Sequence, residues 1–210
     1  GVSYCEVAGR LMFLDLEADR YFCLGRTAEA AFRAATAGEC GETLQPLIEC
    51  SLLVRTPDES RPSAWRGPAL PLTSLLDGGP SEAPARLKMA ALRDLAATHF
   101  ALRFRSLNAV LCSLARQKSR AICQPATAPG SAQAVAGAFD WSACLVRSHD
   151  RCLPRSIAVA RRLAKLGIAA DLVIGVSLYP FAAHSWVQCG TALVNDRPDG
   201  VRHFMPILSI

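Results

Sequence analysis

The stretch Cys152-Leu-Pro-Arg-Ser-Ile-Ala-Val-Ala-Arg-Arg-Leu-Ala-Lys-Leu-Gly167 decides how the C-terminal part of this chain folds. Its apolar residues recur at the spacing of one helical face, at Ile157, Ala160, Leu163 and Leu166. Pro154 is tolerated only in the first turn of a helix, and Gly167 is a natural helix end. The stretch therefore predicts an amphipathic helix that begins close to Cys152.

The position of Cys152 distinguishes its thiol from one that lies in a protein core. The positive end of a helix dipole lowers the pKa of a thiol and favours the thiolate. The unpaired backbone N–H groups of the same turn can also bind an oxyanion. Ser148 or Asp150 is the expected helix cap. We therefore predict that Cys152 is a nucleophile.

A strand that contains a histidine follows this helix. Residues 168–176 have the apolar composition of a buried strand, and residues 184–189 read as a second one. Because side chains alternate along a strand, His184, Trp186 and Gln188 share one face of it. This places the imidazole beside a tryptophan, where it can act as a general base.

The end of the chain supplies a carboxylate in the same region. Gly190 turns the chain into a third short strand over residues 191–196, which ends at Asn195 and Asp196. Either side chain can accept a hydrogen bond from an imidazole and fix its orientation. A thiol, an imidazole and a carboxylate in this order predict a cysteine hydrolase or an acyl-transfer enzyme.

These residues can also be interpreted without a catalytic role. A lone strand histidine is more often a core residue bonded to a carbonyl, and Asp196 can simply begin the turn before Arg197-Pro-Asp-Gly200. A metal site is a further candidate, built from Cys152, His184, Cys189 and His203. Its spacing follows no zinc pattern, and Cys189 would face away from His184, so we predict no metal.

The first third of the chain predicts a small β-rich module. Strands are expected over residues 2–7, 11–16 and 21–24, and a helix is expected from a cap at Thr27 to Gly38. A second helix from Thr43 and a closing strand over residues 51–55 complete the pattern.

The composition and spacing of residues change twice in the middle of the chain. Residues 56–84 are rich in proline, serine, glycine and charge, which predicts a linker. Helical spacing follows over residues 85–121, with one apolar stripe formed by Leu87, Ala91, Leu95, Phe100, Phe104, Leu107, Leu111 and Leu114. We therefore predict an α+β protein with a module over residues 1–80, including the linker, and a second domain over residues 81–210.

Composition excludes several classes of protein. The chain is 51% hydrophobic and 20% charged with a formal net charge of +5, which is ordinary for a globular protein. No segment interleaves aromatic with basic residues, so we predict no nucleic-acid binding. No apolar run reaches about 18 residues, so no membrane span is expected. The nine cysteines contain no CxxC pair and no secretory signal precedes them, which favours a reduced, cytoplasmic setting.

Four segments resemble the lasso-peptide maturation B proteins. They are Cys152-Leu-Pro-Arg-Ser, Leu166-Gly-Ile-Ala-Ala-Asp-Leu-Val-Ile-Gly-Val, Pro180-Phe-Ala-Ala-His-Ser-Trp-Val and Val194-Asn-Asp-Arg-Pro. These proteins are leader peptidases with a transglutaminase-like, papain-type cysteine protease core. The resemblance covers residues 150–206 and implies that Cys152 is the nucleophile, His184 the general base and Asp196 the orienting carboxylate.

The β-β-β-α-α order of residues 1–80 resembles the RiPP recognition element, a winged-helix-like module fused to the front of some B proteins. The resemblance implies that this module binds the precursor's leader as an added strand. The substrate-binding residues expected from this resemblance and from the cleft are Tyr21, Phe22, Cys23, Leu24 and Trp186.

The family implies cleavage of a lasso precursor peptide at the junction between leader and core. A separate, ATP-using cyclase that resembles asparagine synthetase would then close the macrolactam from the freed amine. The chain shows no P-loop, so we predict no ATP site and no cofactor. Two other functions remain open: an acyl transferase that uses the same triad, and a non-catalytic escort of the precursor.

Overall fold

The computed structural model describes residues 1–38, 44–50, 52–54, 61–64, 67–78, 83–122, 131–145 and 152–210. The chain divides into two compact units, Gly1–Arg66 and Gly67–Ile210. The second unit therefore begins inside the segment that the sequence predicts as a linker.

In its described part the first unit contains a three-stranded antiparallel sheet and two helices. In chain order the elements are β1 (Val2–Val7), β2 (Arg10–Asp15), β3 (Arg20–Cys23), α1 (Arg26–Ala37) and α2 (Gln45–Glu49). The strand order is β1-β2-β3, so β3 lies at an edge of the sheet. The predicted order of three strands followed by two helices is confirmed.

Aromatic packing holds the helices of this unit against its sheet. Phe13 of β2 and Phe32 of α1 are almost fully buried, and their rings meet edge to face with centroids 5.0 Å apart. Phe22 of β3 also stacks on Phe13, with ring centroids 5.2 Å apart. Leu11 and Leu47 complete this core. Such aromatic pairs contribute about 0.5–1.5 kcal/mol beyond the area they bury.

Details of the first unit differ from the sequence-based expectation. Thr27 does not cap α1, because the helix already begins at Arg26 with the extended residue Gly25 before it. The predicted helix end is confirmed: Gly38 adopts the left-handed conformation, with φ of 91°. Leu52 and Leu53 form a bend, and no strand is present over residues 52–54, while Thr43 lies outside the described residues.

The second unit contains a five-stranded sheet and five helices in its described part. The strands are β4 (Thr73–Ser74), β5 (Asp171–Leu178), β6 (Phe181–Cys189), β7 (Ala192–Leu193) and β8 (Met205–Ser209). The helices are α3 (Ala85–Phe104), α4 (Leu107–Ile122), α5 (Ser131–Leu145), α6 (Cys152–Lys165) and α7 (Pro198–Val201). The sheet order is β4-β7-β6-β5-β8, and only the β4–β7 pair is parallel.

The predicted catalytic helix α6 is the centre of this unit. It contacts α3, α4 and α5 as well as β5 and β6. Its buried residues are Ser156, Ile157, Ala158, Val159, Ala160, Leu163 and Ala164. Gly167, with φ of 72°, ends the helix as predicted, and the Ile168 N–H donates back to the Leu163 carbonyl at 3.0 Å. A helix buried on most sides holds its first residue in a fixed place.

Two expectations for the middle of the chain are wrong. The proline-rich segment contributes β4, whose Thr73 pairs with Ala192 of β7. The single stripe over residues 85–121 breaks at Arg105 and Ser106 into two helices, so Phe100 and Phe104 are 67% and 69% exposed. None of the helices in the described ranges has the length and apolar character that crossing a membrane requires.

Candidate active site

Cys152 is the first described residue of α6 and is partly buried. The predicted position of the thiol in the first turn of a helix is therefore confirmed. The proposed cap residues, Ser148 and Asp150, lie outside the described residues.

His184 lies between the thiol and a carboxylate. It occupies β6, opposite Gly175 of β5. Its Nε2 is 2.5 Å from Oδ2 of Asp196, which follows β7. The ring also hydrogen-bonds the Cys152 thiol. Because Nε2 faces the carboxylate, Nδ1 is the nitrogen left for sulfur.

Hydrogen bonds outweigh burial in setting the protonation of this pair. Burial alone would raise the pKa of Cys152, but hydrogen bonds from His184 and from the Ser185 N–H lower it below the ordinary 9.0. Burial alone would lower the pKa of His184, but bonds to Asp196 and Cys152 raise it to about 9. The geometry thus favours a thiolate beside an imidazolium.

Comparison with known proteins supports this chemistry. The family model for the transglutaminase-like superfamily matches residues 94–209, which is more than half of the chain. The chain belongs to the transglutaminase-like superfamily. The chain is also similar to the microcin J25-processing protein McjB of Escherichia coli, with 48% identity over 48 residues. That match spans 23% of this chain and 23% of the relative. No solved structure matches the chain.

Aromatic side chains surround the imidazole of this transglutaminase-like domain. The Trp186 ring lies 6.3 Å from the His184 ring, and the Phe204 ring lies 5.2 Å from it. A Cβ at Gly175 would lie 2.8 Å from Trp186 and 2.9 Å from Phe204, so only glycine fits between them. Sequence reasoning missed Phe204, which comes from the loop before β8.

Trp186 does not fit its predicted role as a substrate-binding residue. It is only 1% exposed, and its Nε1 donates to Oε1 of Gln188 at 2.9 Å. Gln188 in turn donates to the carbonyls of Ala69 and Gly190. The indole therefore has no face for a substrate and instead supports the His184 ring.

The carboxylate that orients His184 has its own supports. Ser74 of β4 donates its hydroxyl to the Asp196 carbonyl at 2.6 Å, and the Arg197 N–H donates to Oδ1 of Asp196 at 2.8 Å. A Cβ at Gly200 would lie 2.6 Å from that same Oδ1. The sequence places Ser74 in a linker, so its role could not be inferred from local pattern.

Asn195, the other orienting residue that the sequence allows, is not in contact with the imidazole. It is 7% exposed, its Nδ2 donates to Oγ of Ser156 at 2.9 Å, and its Oδ1 accepts from the Val187 N–H at 2.8 Å. The Ser156 hydroxyl donates to the Ser185 carbonyl at 2.9 Å. The missed signal is Ser156 itself, a polar residue on the apolar face of α6 and one turn after Cys152.

The metal alternative receives no support in the part of the chain that the structure describes. No group of three or more histidine, cysteine or acidic residues there is arranged to hold a metal ion. Nε2 of His203 instead accepts a hydrogen bond from Nε of Arg202 at 3.1 Å. Asp199 of α7 pairs with Arg202 and is 86% exposed.

The predicted leader-binding residues of the first unit lie at the edge strand β3. Tyr21 and Phe22 are half-buried and Cys23 is exposed. Leu24 follows the end of the strand, and its carbonyl accepts a hydrogen bond from Arg10 at 2.8 Å. The position of this segment at a sheet edge agrees with the prediction, and its ligand remains a proposal.

Proposed function

We propose that the chain is a cysteine peptidase that cleaves a lasso precursor peptide between its leader and its core. The observation that carries the proposal is His184, which bonds Cys152 on one side and Asp196 on the other. The partial similarity to a protein named for processing microcin J25 supports the choice of substrate.

The proposed reaction begins with attack of the Cys152 thiolate on the carbonyl carbon of the scissile peptide bond. The tetrahedral oxyanion that forms is stabilised by backbone N–H groups in the first turn of α6, which lack helical partners. The His184 imidazolium then gives its proton to the leaving nitrogen as the carbon–nitrogen bond breaks. The products of this step are the core peptide with a free amine and a leader thioester on Cys152.

Hydrolysis of the thioester completes the cycle. His184, now neutral, takes a proton from water as the water oxygen attacks the thioester carbonyl. The collapse of the second tetrahedral intermediate breaks the carbon–sulfur bond and restores the Cys152 thiolate beside the His184 imidazolium. The leader leaves as a carboxylic acid, which loses its proton to solvent. Asp196 keeps the ring in one orientation throughout and stabilises its charge.

The first unit is proposed to select the substrate as a winged-helix-like leader-binding module. An extended peptide can add to the edge strand of a sheet through backbone hydrogen bonds. β3 lies at such an edge, with half-buried Tyr21 and Phe22 and with Leu24 beside it. The leader would add a fourth strand there, and the freed core amine would pass to a separate ATP-dependent cyclase.

A transglutaminase-like acyl transfer is the second candidate, because the superfamily is named for it and both reactions pass through the same thioester. In that case an amine would replace water in the second step. The two functions differ only in the final product.

The test is mass spectrometry of a precursor peptide incubated with the wild-type protein, with Cys152→Ala and with Cys112→Ala. Cys112 is an exposed free cysteine on α4 and serves as the matched control. We expect leader and core fragments, whose masses sum to precursor plus one water, with wild type and Cys112→Ala only. An amine-linked leader would favour the transferase. Full cleavage by Cys152→Ala would refute the peptidase and leave a binding role.

A further inference from the structure

A second hydrogen-bonded chain runs behind the triad and has no part in the reaction described above. It consists of the side chains of Ser156 and Asn195 and the backbone of β6. Ser156 is 0% exposed and Asn195 is 7% exposed. Each of its three bonds is between 2.8 and 2.9 Å long, so every polar group in it is well satisfied.

Every element that carries a triad residue takes part in this chain. Ser156 lies one helical turn after Cys152 on α6. The carbonyl that accepts its hydroxyl belongs to Ser185, the residue after His184. Asn195 directly precedes Asp196. The helix, the strand and the turn are thereby joined at residues adjacent to the reacting groups.

The Ser185 peptide links this hydrogen-bonded chain to the Cys152 sulfur. Its carbonyl is fixed by Ser156, and its N–H hydrogen-bonds the Cys152 sulfur. If the Ser156 hydroxyl were absent, the Ser185 peptide would lose the bond that fixes it to α6. One of the contacts that fix the position of the sulfur relative to the imidazole would then be missing.

We propose that Ser156 and Asn195 act as a positioning pair that holds the Cys152 sulfur, the His184 ring and the Asp196 turn in register. The inference deepens the proposed function, since it assumes that these three residues react. Neither residue of the pair touches the substrate or the reacting atoms in this role. A displacement of about 1 Å at a reacting group can cost about 100-fold in rate, which is why such a pair matters.

Ser142 provides a matched comparison within the same unit. It is 1% exposed, like Ser156, but its hydroxyl donates to the Phe139 carbonyl in its own helix, α5. Its loss removes a buried hydroxyl and leaves the link between α6 and β6 intact. A variant of Ser142 therefore reports the purely structural cost of removing a buried serine.

The experiment measures alkylation of Cys152 by iodoacetamide across pH in the full chain, without any peptide. Because the chain has nine cysteines, the label is read on the Cys152 fragment by mass spectrometry. Ser156→Ala and Asn195→Ala should move the midpoint of alkylation to higher pH and slow alkylation at pH 7. Each unit of upward shift lowers the thiolate fraction about tenfold below the midpoint. Ser142→Ala should leave the profile unchanged.

The double variant tests whether the two residues act as one unit. Its profile should match that of the more affected single variant, because either change already breaks the link. Asn195→Ala carries the test if Ser156→Ala does not fold. Wild-type profiles in the folded single variants, or effects that simply add in the double variant, would overturn the proposal. If Ser156→Ala and Asn195→Ala shift the alkylation profile but the wild-type protein cleaves no precursor, the positioning role stands and only the proposed function is refuted.

Discussion

The two units use their buried polar side chains in different ways. In the first unit Glu29 of α1 is 6% exposed and accepts hydrogen bonds from Arg10, Arg33 and the Leu11 N–H. These bonds fasten the helix to β2 and its neighbours, and they do not involve the edge strand β3. In the second unit the buried side chains of Ser156 and Asn195 instead join the elements that carry Cys152, His184 and Asp196.

Under the proposed function, this difference separates a leader-binding unit from a reaction site. Polar groups that only join a helix to a strand can be replaced at a cost in stability. Those that converge on a thiol alter its pKa and its geometry, and their replacement changes chemistry. The first unit should therefore respond to mutation through folding and affinity, and the second unit through rate.

The largest expected effect is that of Asp196→Ala on precursor cleavage. Without the carboxylate, the His184 ring loses the bond at 2.5 Å that fixes its orientation and charge. We expect kcat/KM to fall by roughly 10²- to 10⁴-fold, as for the orienting residue of other triads. Steady-state kinetics of precursor cleavage provides the measurement.

Asp199→Ala is the control for this variant. Asp199 lies three residues later and its side chain is 86% exposed. Its replacement should leave kcat/KM within about twofold, because surface changes away from a site are usually near neutral. Equal losses for the two variants would contradict the assignment of Asp196.

The triad itself could be predicted from sequence because its members have local signatures. A proline in a first turn places Cys152 at a helix start, and strand alternation places His184 and Trp186 on one face. Local pattern alone does not decide between Asn195 and Asp196, because both end the same predicted strand. Their difference depends on which neighbour each side chain meets in three dimensions.

The unpredicted parts of the site depend on contacts between residues far apart in the chain. Ser74 looks like a linker residue, yet it bonds the carbonyl of Asp196, 122 positions later. Phe204 is a lone aromatic residue in a loop until β8 pairs with β5 and brings it to His184. Local composition has no information on such pairings, which are set by tertiary packing.

Glu29→Ala tests the other side of the comparison. It should lower the stability of the first unit by about 1–3 kcal/mol, because the Leu11 N–H and two arginines lose a buried acceptor. Hydrogen exchange read by mass spectrometry should show faster exchange in β2. The alkylation profile of Cys152 should stay that of wild type.

Glu17→Ala is the matched control, since its carboxylate is 74% exposed and pairs with the N-terminal amine. Hydrogen exchange in β2 should not change in that variant. A shift of the Cys152 alkylation midpoint in Glu29→Ala would contradict the inference that the two units respond independently to mutation.

The pH dependence of cleavage should be bell-shaped. Activity rises as the Cys152 thiol, whose pKa lies below 9.0, becomes a thiolate. It falls as the His184 imidazolium, whose pKa is raised to about 9, loses the proton needed by the leaving amine. Along each limb, away from the plateau, the rate should change about tenfold per pH unit.

Asp196→Asn sharpens this measurement. It retains an oxygen for the His184 hydrogen bond and removes the negative charge that raises the pKa of the ring. The falling limb should therefore move to lower pH. An unchanged falling limb would show that another group, and not His184, controls the loss of activity in alkali.

The smallest expected effect lies at the edge strand of the first unit. If the leader pairs with β3, most of the affinity comes from backbone hydrogen bonds, and a single side chain contributes only part of it. Tyr21→Ala should raise KM about threefold to tenfold and leave kcat unchanged, a loss of roughly 1 kcal/mol in binding. Fluorescence anisotropy of a labelled leader should show the same loss in affinity.

Val2→Ala is the control, because Val2 is 45% exposed on β1 at the opposite edge of the sheet. A loss of affinity in Val2→Ala alone would place the leader at β1. A fall in kcat for Tyr21→Ala would show that this residue influences the reaction as well as binding.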